Sequence, residues 1–306
     1  MHARPIQLLL VAVCLSACRT SPPPPPPPPV DALLSQATAM DLAGRQDAAI
    51  AIFRDVLTRE PDSYRAHYGL GRALDLAGHY DEARDHFAKA IAVAAPGDKD
   101  QAQRMLAIAW TFVGNVDEAS AIYQQVFNRQ AADGNFGGAA DIASELGRVY
   151  LEHGDVDQAD AWYRTAHDTA AREPGRPQWR IDLADIRWAH ARARIAARRG
   201  RPDDARREAL VVKRLIEKGG NDDQKIQYQY LSGYVAFYRG DYAAAQQALE
   251  KADQKDPFIL LLLASTHEAL GHADQARDYY GRVLASTSHA INNAFARPIA
   301  RSKLGA

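Results

Sequence analysis

The stretch YGLGRALDLAGHYDEARDHFAKAIAVAAP, residues 68–96, has a central glycine, Gly78, between two segments that each suit a helix. Glycine is favoured where a helix ends, because it adopts a left-handed backbone at low cost. Asp81 suits the start of a second helix, where its carboxylate accepts from free backbone amides and is favoured by the helix dipole. Pro96 then interrupts the chain. The stretch therefore predicts a hairpin of two helices.

The pattern of glycine, aspartate three residues later and alanine five residues later recurs along the chain. It reads GRQDAA at Gly44, GHYDEA at Gly78, GNVDEA at Gly114, GDVDQA at Gly154, GRPDDA at Gly200 and GHADQA at Gly271, with the variant GDYAAA at Gly240. The glycines are separated by 31 to 46 residues. A recurring period in this range indicates a solenoid or a repeat array.

Alignment on these glycines reveals further columns of similar residues. Alanine stands five residues after every one: Ala49, Ala83, Ala119, Ala159, Ala205, Ala245 and Ala276. The residue seven positions before each turn glycine is always alanine or glycine, and the residue twelve positions after it is always valine or alanine. In five of the seven repeats, the residue nine positions after the turn glycine is aromatic: Phe53, Phe87, Tyr123, Tyr163 and Tyr280. The small residues predict close approach of two helix backbones, and the aromatic side chain a contact with the neighbouring hairpin.

These columns resemble the tetratricopeptide repeat (TPR) family. The residues of the quoted stretch in family positions are Leu70, Gly71, Gly78, Tyr80, Ala83, Phe87, Ala90 and Pro96. The resemblance covers about residues 31–286 and implies an all-α fold, a right-handed helical solenoid of about seven TPR-like helix hairpins. The fifth and sixth repeats depart from the pattern, with Ala209 and Leu249 at the aromatic position. We therefore expect the middle of the array to bend differently from a regular superhelix.

Residues 287–306 follow the last hairpin and have no second helix to pair with. Solenoids need a terminal cap with a polar outer face, so this segment is expected to be a C-terminal capping helix. Ile291, Phe295 and Ile299, spaced by four residues, predict its buried stripe. Pro298 is expected to kink it.

The first residues have the layout of a secretory signal. A short charged start precedes a mostly apolar run, Ile6–Leu15, and small residues follow it. This run is too short to span a hydrocarbon core, which needs about 20 helical residues. We therefore expect residues 1–17 to be a signal peptide. The alternative is an apolar N-terminus that is not processed, in an unanchored cytosolic adaptor.

The residues LSAC at 15–18 resemble the lipobox of bacterial lipoproteins. The resemblance implies cleavage before Cys18 and acylation of that cysteine, and several acyl chains anchor a protein stably. The residue after Cys18 is Arg19 and not an aspartate, the sorting signal at that position in such lipoproteins. By the same resemblance this implies an outer-membrane location facing the periplasm. Pro22–Pro29 favour an extended polyproline helix of about 25 Å. Residues 18–30 are thus expected to be a lipid anchor with a semi-rigid spacer.

Composition argues against several classes of function. The chain of 306 residues has a net charge of −1, which gives no general attraction to nucleic acid. Both cysteines lie within the first 18 residues, so the body can form neither an internal disulfide nor a cysteine-based zinc site. The ten histidines are scattered without H-x-x-x-H spacing. We predict no catalytic or metal site, no cofactor and no small-molecule substrate.

Residues 180–218 hold twelve Lys and Arg against six Asp and Glu. One interpretation is a solvated face whose cations suit a helix C-terminus. The other is a docking surface for an acidic partner or for anionic head groups.

In TPR arrays the first helix of each hairpin lines a concave groove, through residues six, ten and thirteen before the turn glycine. The candidate groove residues at the first two offsets are Tyr68, Arg72, Arg104, Arg148, His190, Arg194, Tyr230 and Tyr234. Arg65, at the third offset, extends the row. We predict a groove that binds an acidic, partly apolar segment of a protein partner through bidentate arginine contacts and aromatic stacking. The alternative is that these arginines are merely solvated.

TPR arrays in general bind peptides or helices and organise complexes. The predicted function is therefore a membrane-anchored periplasmic scaffold that assembles an envelope complex, such as secretin and pilus or cell-wall machinery. A second hypothesis is an accessory protein that activates a separate periplasmic enzyme.

Overall fold

The computed structural model describes residues 27–305. The predicted signal peptide, Cys18 and most of the proline run lie outside these residues. The helices are α1 Val30–Leu42, α2 Gln46–Arg59, α3 Tyr64–Ala77, α4 Tyr80–Val93, α5 Lys99–Phe112, α6 Val116–Ala132, α7 Phe136–His153, α8 Val156–Ala171, α9 Gln178–Arg198, α10 Pro202–Glu217, α11 Lys225–Tyr238, α12 Tyr242–Leu249, α13 Pro257–Ala269, α14 Ala273–Ala285 and α15 Ile291–Leu304. A single 3₁₀ turn, Asp222–Gln224, precedes α11.

Helices α1 to α14 form seven consecutive hairpins, and α15 follows them. The predicted all-α solenoid of seven hairpins with a C-terminal helix is confirmed. Each of the seven turn glycines has a positive φ, between 66° at Gly200 and 105° at Gly154. This left-handed backbone is strained for residues with a Cβ, which explains why glycine recurs at every hairpin turn.

The aspartates of the repeated pattern do not cap their helices as predicted. Asp47, Asp81 and Asp274 lie in the first turns of α2, α4 and α14, where no side-chain cap forms. Where a cap exists, it comes from the residue directly after the turn glycine: Asp155 Oδ1 accepts from the Gln158 amide at 3.0 Å. The motif aspartates still favour the helix starts through their charge.

The aligned columns form the core between the helices. The seven alanines five residues after the turn are at most 3% exposed, and the five aromatic residues at most 5%. The small residue before the turn leaves room for the aromatic one, since a Cβ added at Gly71 would stand 3.0 Å from the Phe87 ring. The register predicted from the sequence is therefore the packing register.

Helix α15 does more than cover the last hairpin. It contacts α13 and α14 and also α5 and α7, which belong to the third and fourth hairpins. Just before it, His289 Nε2 lies 2.7 Å from Asp75 Oδ2 of α3, and both side chains are fully buried. Near its end, Arg301 Nη2 donates to the Ala77 carbonyl at 2.6 Å. The C-terminal segment thus lies across the face formed by the first helices of the hairpins, which we call the inner face.

The buried side of α15 differs from the predicted stripe. Ile291 and Phe295 are half-buried, but Ile299 is 45% exposed. The most buried residues are instead small or polar: Asn293, Ala294, Ala296, Arg297 and Ala300. Helix α15 continues through Pro298 to Leu304. Small residues on this side let α15 approach the inner face closely.

Within residues 27–305, no helix combines the length and the apolar character needed to cross a membrane.

Candidate functional site on the inner face

A cavity of about 680 Å³ opens on the inner face beside the start of α15. Its walls come from α5, α7, α8, α9 and α11, and Ile291 and Asn292 of α15 border it. The charged and aromatic residues that line it are Arg104, Asp141, Glu145, Arg148, Tyr163, His167, Arg187, Trp188, His190 and Arg194. Four of the residues predicted to line the groove therefore surround this cavity: Arg104, Arg148, His190 and Arg194.

The N-terminal members of the predicted row lie outside this cavity. Arg72 donates from Nε and Nη2 to Asp41 Oδ2, at 3.3 and 3.1 Å. Burial raises the pKa of Asp41, and the charge of Arg72 opposes that shift. Tyr68 is half-buried, and its hydroxyl accepts from Gln101 Nε2 at 3.1 Å. Both side chains thus already have partners within the chain.

Arg104 and Glu145 form a two-pronged ion pair between α5 and α7. The Nε of Arg104 donates to Oε2 at 2.8 Å, and Nη2 donates to Oε1. Bidentate pairing of this kind fixes the guanidinium plane as well as its charge. Arg104 is therefore neutralised inside the cavity by a carboxylate that the sequence analysis did not single out.

Arg148 lies deeper, with its guanidinium carbon 4.3 Å from the ring centre of Phe258. Its Nε stands 3.0 Å from Glu152 Oε1, although the angles are not those of a hydrogen bond. Arg198 shares the same carboxylate at 3.2 Å. Glu152 is therefore a second buried carboxylate partner of the inner-face arginines that the sequence analysis missed. It stands four residues after Arg148, so the helical i,i+4 rule would have paired them.

Arg194 is 6% exposed and donates from Nη2 to the Tyr163 hydroxyl at 2.9 Å. His190, one turn earlier on α9, stacks on Tyr230 with ring centres 5.5 Å apart. Burial lowers the pKa of His190 well below its ordinary value, and the charges of Arg194 and Arg148 act in the same direction. The imidazole is therefore uncharged at neutral pH.

The two tyrosines of α11 belong to the core. Tyr230 is 5% exposed and Tyr234 is fully buried. Burial raises the pKa of Tyr230 to about 12. Neither ring offers an open stacking surface in this structure, so their predicted contact with a partner would require movement of the neighbouring helices. Their role in binding stays a prediction.

A row at the rim of the inner face is more accessible. Arg65 and Arg187 each stand thirteen residues before a turn glycine, and their side chains are 59% and 57% exposed. They pair with Asp31 and Asp141, each at 2.8 Å. Exposed pairs of this kind contribute about 0.2–1 kcal/mol, so a partner carboxylate can compete for these arginines.

The basic segment 180–218 is largely paired with carboxylates. Arg199 contacts Asp157 at 2.6 Å and Asp160 at 3.2 Å, and Arg192 contacts Glu208 at 2.8 Å. Glu208 belongs to the same segment, so the excess of positive charge counted along the sequence is partly balanced by Asp157 and Asp160 of α8, which lie outside it.

Two family models described as tetratricopeptide repeat match the sequence. One covers residues 34–99 and 230–291, and the other covers residues 140–165 and 187–210. Together they match more than half of the chain, and neither describes an enzyme family. A comparison with curated proteins gives no match.

Solved structures show the same architecture at low sequence identity. The apo form of RapI has a TM-score of 0.58 and 9% identity, over 88% of this chain and 98% of that one. A tetratricopeptide repeat protein from Parabacteroides merdae ATCC 43184 has a TM-score of 0.52 and 13% identity, over 88% and 98%. At such identity the likeness shows the fold alone. The repeat columns, the seven hairpins and the matching family models place this chain in the tetratricopeptide repeat family.

Proposed function

We propose that this protein is a membrane-anchored scaffold of a bacterial envelope, which binds protein partners and helps to assemble an envelope complex. The observation that carries the proposal is the TPR solenoid itself, a fold that serves protein–protein interaction. Its inner face presents arginines at the rim and a charged cavity within, which suits an acidic segment of a partner.

The proposed location depends on the N-terminal sequence. The apolar run, the residues LSAC at 15–18 and the eight prolines that follow suit an acylated Cys18 at the periplasmic side of an outer membrane, with a spacer before α1. We expect Cys18→Ser to leave the body folded and to release it from membranes, because the acyl chains supply the anchoring.

Membrane fractionation in high salt and circular dichroism would measure these two effects. A serine variant that still sediments with membranes would contradict the lipid anchor. Globomycin, which blocks the lipoprotein signal peptidase, is expected to cause accumulation of the unprocessed chain.

Partner binding is best tested at the exposed rim, where charge reversal spares the buried ion pairs. The test variant carries Arg65→Glu and Arg187→Glu. The control carries Arg54→Glu and Arg277→Glu, which reverse exposed arginines on the second helices α2 and α14.

Crosslinking from intact membranes, followed by affinity recovery, should give less partner with the rim variant than with the control. Recovery should also weaken with salt. Equal recovery from the two variants would contradict binding on the inner face.

A further inference from the structure

The cavity on the inner face contains more positive charge than its own carboxylates balance. Two of its arginines, Arg104 and Arg187, pair with Glu145 and Asp141. The other two, Arg148 and Arg194, lie deeper, and we call them the arginine pair. Their surroundings point to a ligand that the solenoid itself does not provide.

Arg194 has a single hydrogen-bond partner. Its Nη2 donates to the Tyr163 hydroxyl, a neutral group, at 2.9 Å. Its Nε and Nη1 are buried without a partner among the described residues. Within the same residues, no carboxylate oxygen stands within 4.0 Å of its guanidinium nitrogens. An almost fully buried guanidinium thus has two free donors and no counter-charge in contact.

Arg148 is in a similar position. Its contact with Glu152 is shared with Arg198, and its Nη2 is buried without a hydrogen-bond partner in the described part of the chain. Two guanidiniums, those of Arg148 and Arg198, therefore share one carboxylate, and that of Arg194 contacts none among the described residues. Burying an unpaired charge costs several kcal/mol in general, so this arrangement is unfavourable for stability alone.

The cavity has the size and lining of a ligand site. Its volume of about 680 Å³ falls within the range of about 300–1,000 Å³ that small-molecule sites occupy. Apolar walls come from Ile142, Ile186 and Trp188. His190 adds an Nε2 that also lacks a partner among the described residues.

Helix α15 limits what can enter. Because it lies across the inner face and its residues Ile291 and Asn292 border the cavity, an extended chain cannot follow the whole row of first helices. An acidic group on a short or narrow ligand would contact the free nitrogens of the arginine pair after the side chains around them shift, because these nitrogens are buried in the structure. Guanidinium nitrogens match carboxylate oxygens in geometry and charge.

We propose that this cavity is a carboxylate-binding site, in which the arginine pair holds the acid group and the apolar walls hold the rest of the ligand. The acid group comes either from a free small carboxylate or from an acidic side chain of the protein partner. The second case builds on the proposed scaffold function, and the first does not depend on it.

Isothermal titration calorimetry on the full chain in detergent would test the proposal with three ligands: citrate, a capped hexaglutamate peptide and inorganic phosphate. Citrate binding alone identifies a free small carboxylate as the ligand, and peptide binding alone identifies an acidic side chain. Binding of phosphate alone, or of none of the three at 10 mM, would overturn the carboxylate assignment.

Variants separate a binding role from a structural one. We expect Arg194→Met and Arg148→Met each to weaken carboxylate binding by about tenfold or more, because each removes charged hydrogen bonds to the ligand. In the Arg148→Met variant, Glu152 still pairs with Arg198, so its carboxylate is not left without a partner. The control is Arg54→Gln, which alters an exposed arginine paired with Glu82 outside the cavity and should change binding by less than about threefold, as expected for an exposed pair.

Thermal melts supply the second readout. Since the guanidinium of Arg194 is buried without a counter-charge, Arg194→Met should melt at or above the wild-type temperature without ligand. Ligand should raise the melting temperature of the wild type and of the control, and should raise that of Arg194→Met much less. If Arg194→Met melts several degrees lower and binds the carboxylate as well as the wild type, Arg194 is structural and the proposal fails. The proposed scaffold function is judged separately, by partner crosslinking to the rim.

Discussion

At the scale of single residues, the close contact between the first two hairpins depends on the missing side chain of Gly69. A Cβ at this position of α3 would fall inside contact distance of the Phe53 ring, which is 2% exposed and belongs to α2. At Gly281 of α14 the same Cβ would meet nothing within 4 Å. Both glycines lie within helices, but only Gly69 lies where an added side chain would clash with a neighbouring helix.

We expect Gly69→Ala to destabilise the protein and Gly281→Ala to stabilise it. In an open helix, alanine is favoured over glycine by about 1 kcal/mol, whereas overpacking a core contact costs about 1–3 kcal/mol. Urea unfolding followed by circular dichroism would measure both effects. Equal stabilisation by the two changes would mean that α2 and α3 pack less closely than the structure shows.

A pair of histidines makes stability depend on pH. His67 Nδ1 and His86 Nδ1 are 2.8 Å apart, and His67 Nε2 contacts the Pro61 carbonyl at 2.9 Å. Because a carbonyl only accepts, His67 Nε2 donates to it, and its Nδ1 accepts from His86. Burial, and next the charge of His67, lower the pKa of His86 to about 4.

This shift predicts that acidification destabilises the fold. Between its ordinary pKa of 6.5 and the folded value of about 4, His86 binds a proton in the unfolded chain but not in the folded one, so stability rises with pH and falls as pH is lowered. The loss should reach up to about 2 kcal/mol between pH 6.5 and pH 5. His86→Gln should reduce the difference in unfolding free energy between these two pH values. The same pH dependence in both proteins would contradict the assignment.

At the scale of elements, the segment before α15 is tied to α3 by one buried pair. Asp75 and His289 are 214 residues apart in sequence, and their side chains are fully buried. His289 also lies between the rings of Phe87 and Phe112, with centres 5.4 and 5.5 Å away. The pair fixes where the C-terminal segment meets the second hairpin.

Removing His289 alone should lower the free energy of unfolding more than removing both His289 and Asp75. His289→Ala leaves a carboxylate buried without a partner, and breaking a buried pair in this way typically costs about 3–5 kcal/mol. The double change Asp75→Ala and His289→Ala removes the uncompensated charge and should recover part of this loss. A double-mutant cycle of urea unfolding would measure the coupling. Strictly additive losses would mean that the two groups do not interact.

At the scale of the whole molecule, α15 connects repeats that a solenoid leaves apart. In an open array each repeat contacts only its neighbours, so distant repeats unfold independently. Here α15 contacts α5 and α7 on one side and α13 and α14 on the other. It therefore links the third and fourth hairpins to the seventh.

We expect the full chain to unfold in a single transition and the variant without residues 287–306 to unfold in two. Hydrogen exchange measured by mass spectrometry during urea unfolding would follow peptides from α1–α4 and from α11–α14 separately. In the full chain, the two sets of peptides should lose protection at the same urea concentration. They should diverge after the truncation, and a truncated protein that still unfolds in one step would show that the hairpins themselves carry the cooperativity.

The fold was predictable because its rules are local. A hairpin needs a residue that tolerates positive φ at its turn, and small residues where two backbones meet, so glycine and alanine recur at fixed offsets and mark the register. Even the small residues opposite the aromatic column, such as Gly71 opposite Phe87, follow from steric fit within one repeat. Offsets from the turn glycines likewise placed Arg104, Arg148, His190 and Arg194 on one surface.

The sequence by itself determined the hairpins, their turns and the core columns, since each depends on residues within about one repeat. Only the tertiary structure decided how the inner face is occupied. Helix α15 contacts α5 and α7, which precede it by several hairpins. Contacts between segments so far apart in sequence have no local signature. The tertiary structure also places Tyr234 in the core, exposes Ile299 and leaves Arg194 buried without a carboxylate in contact among the described residues.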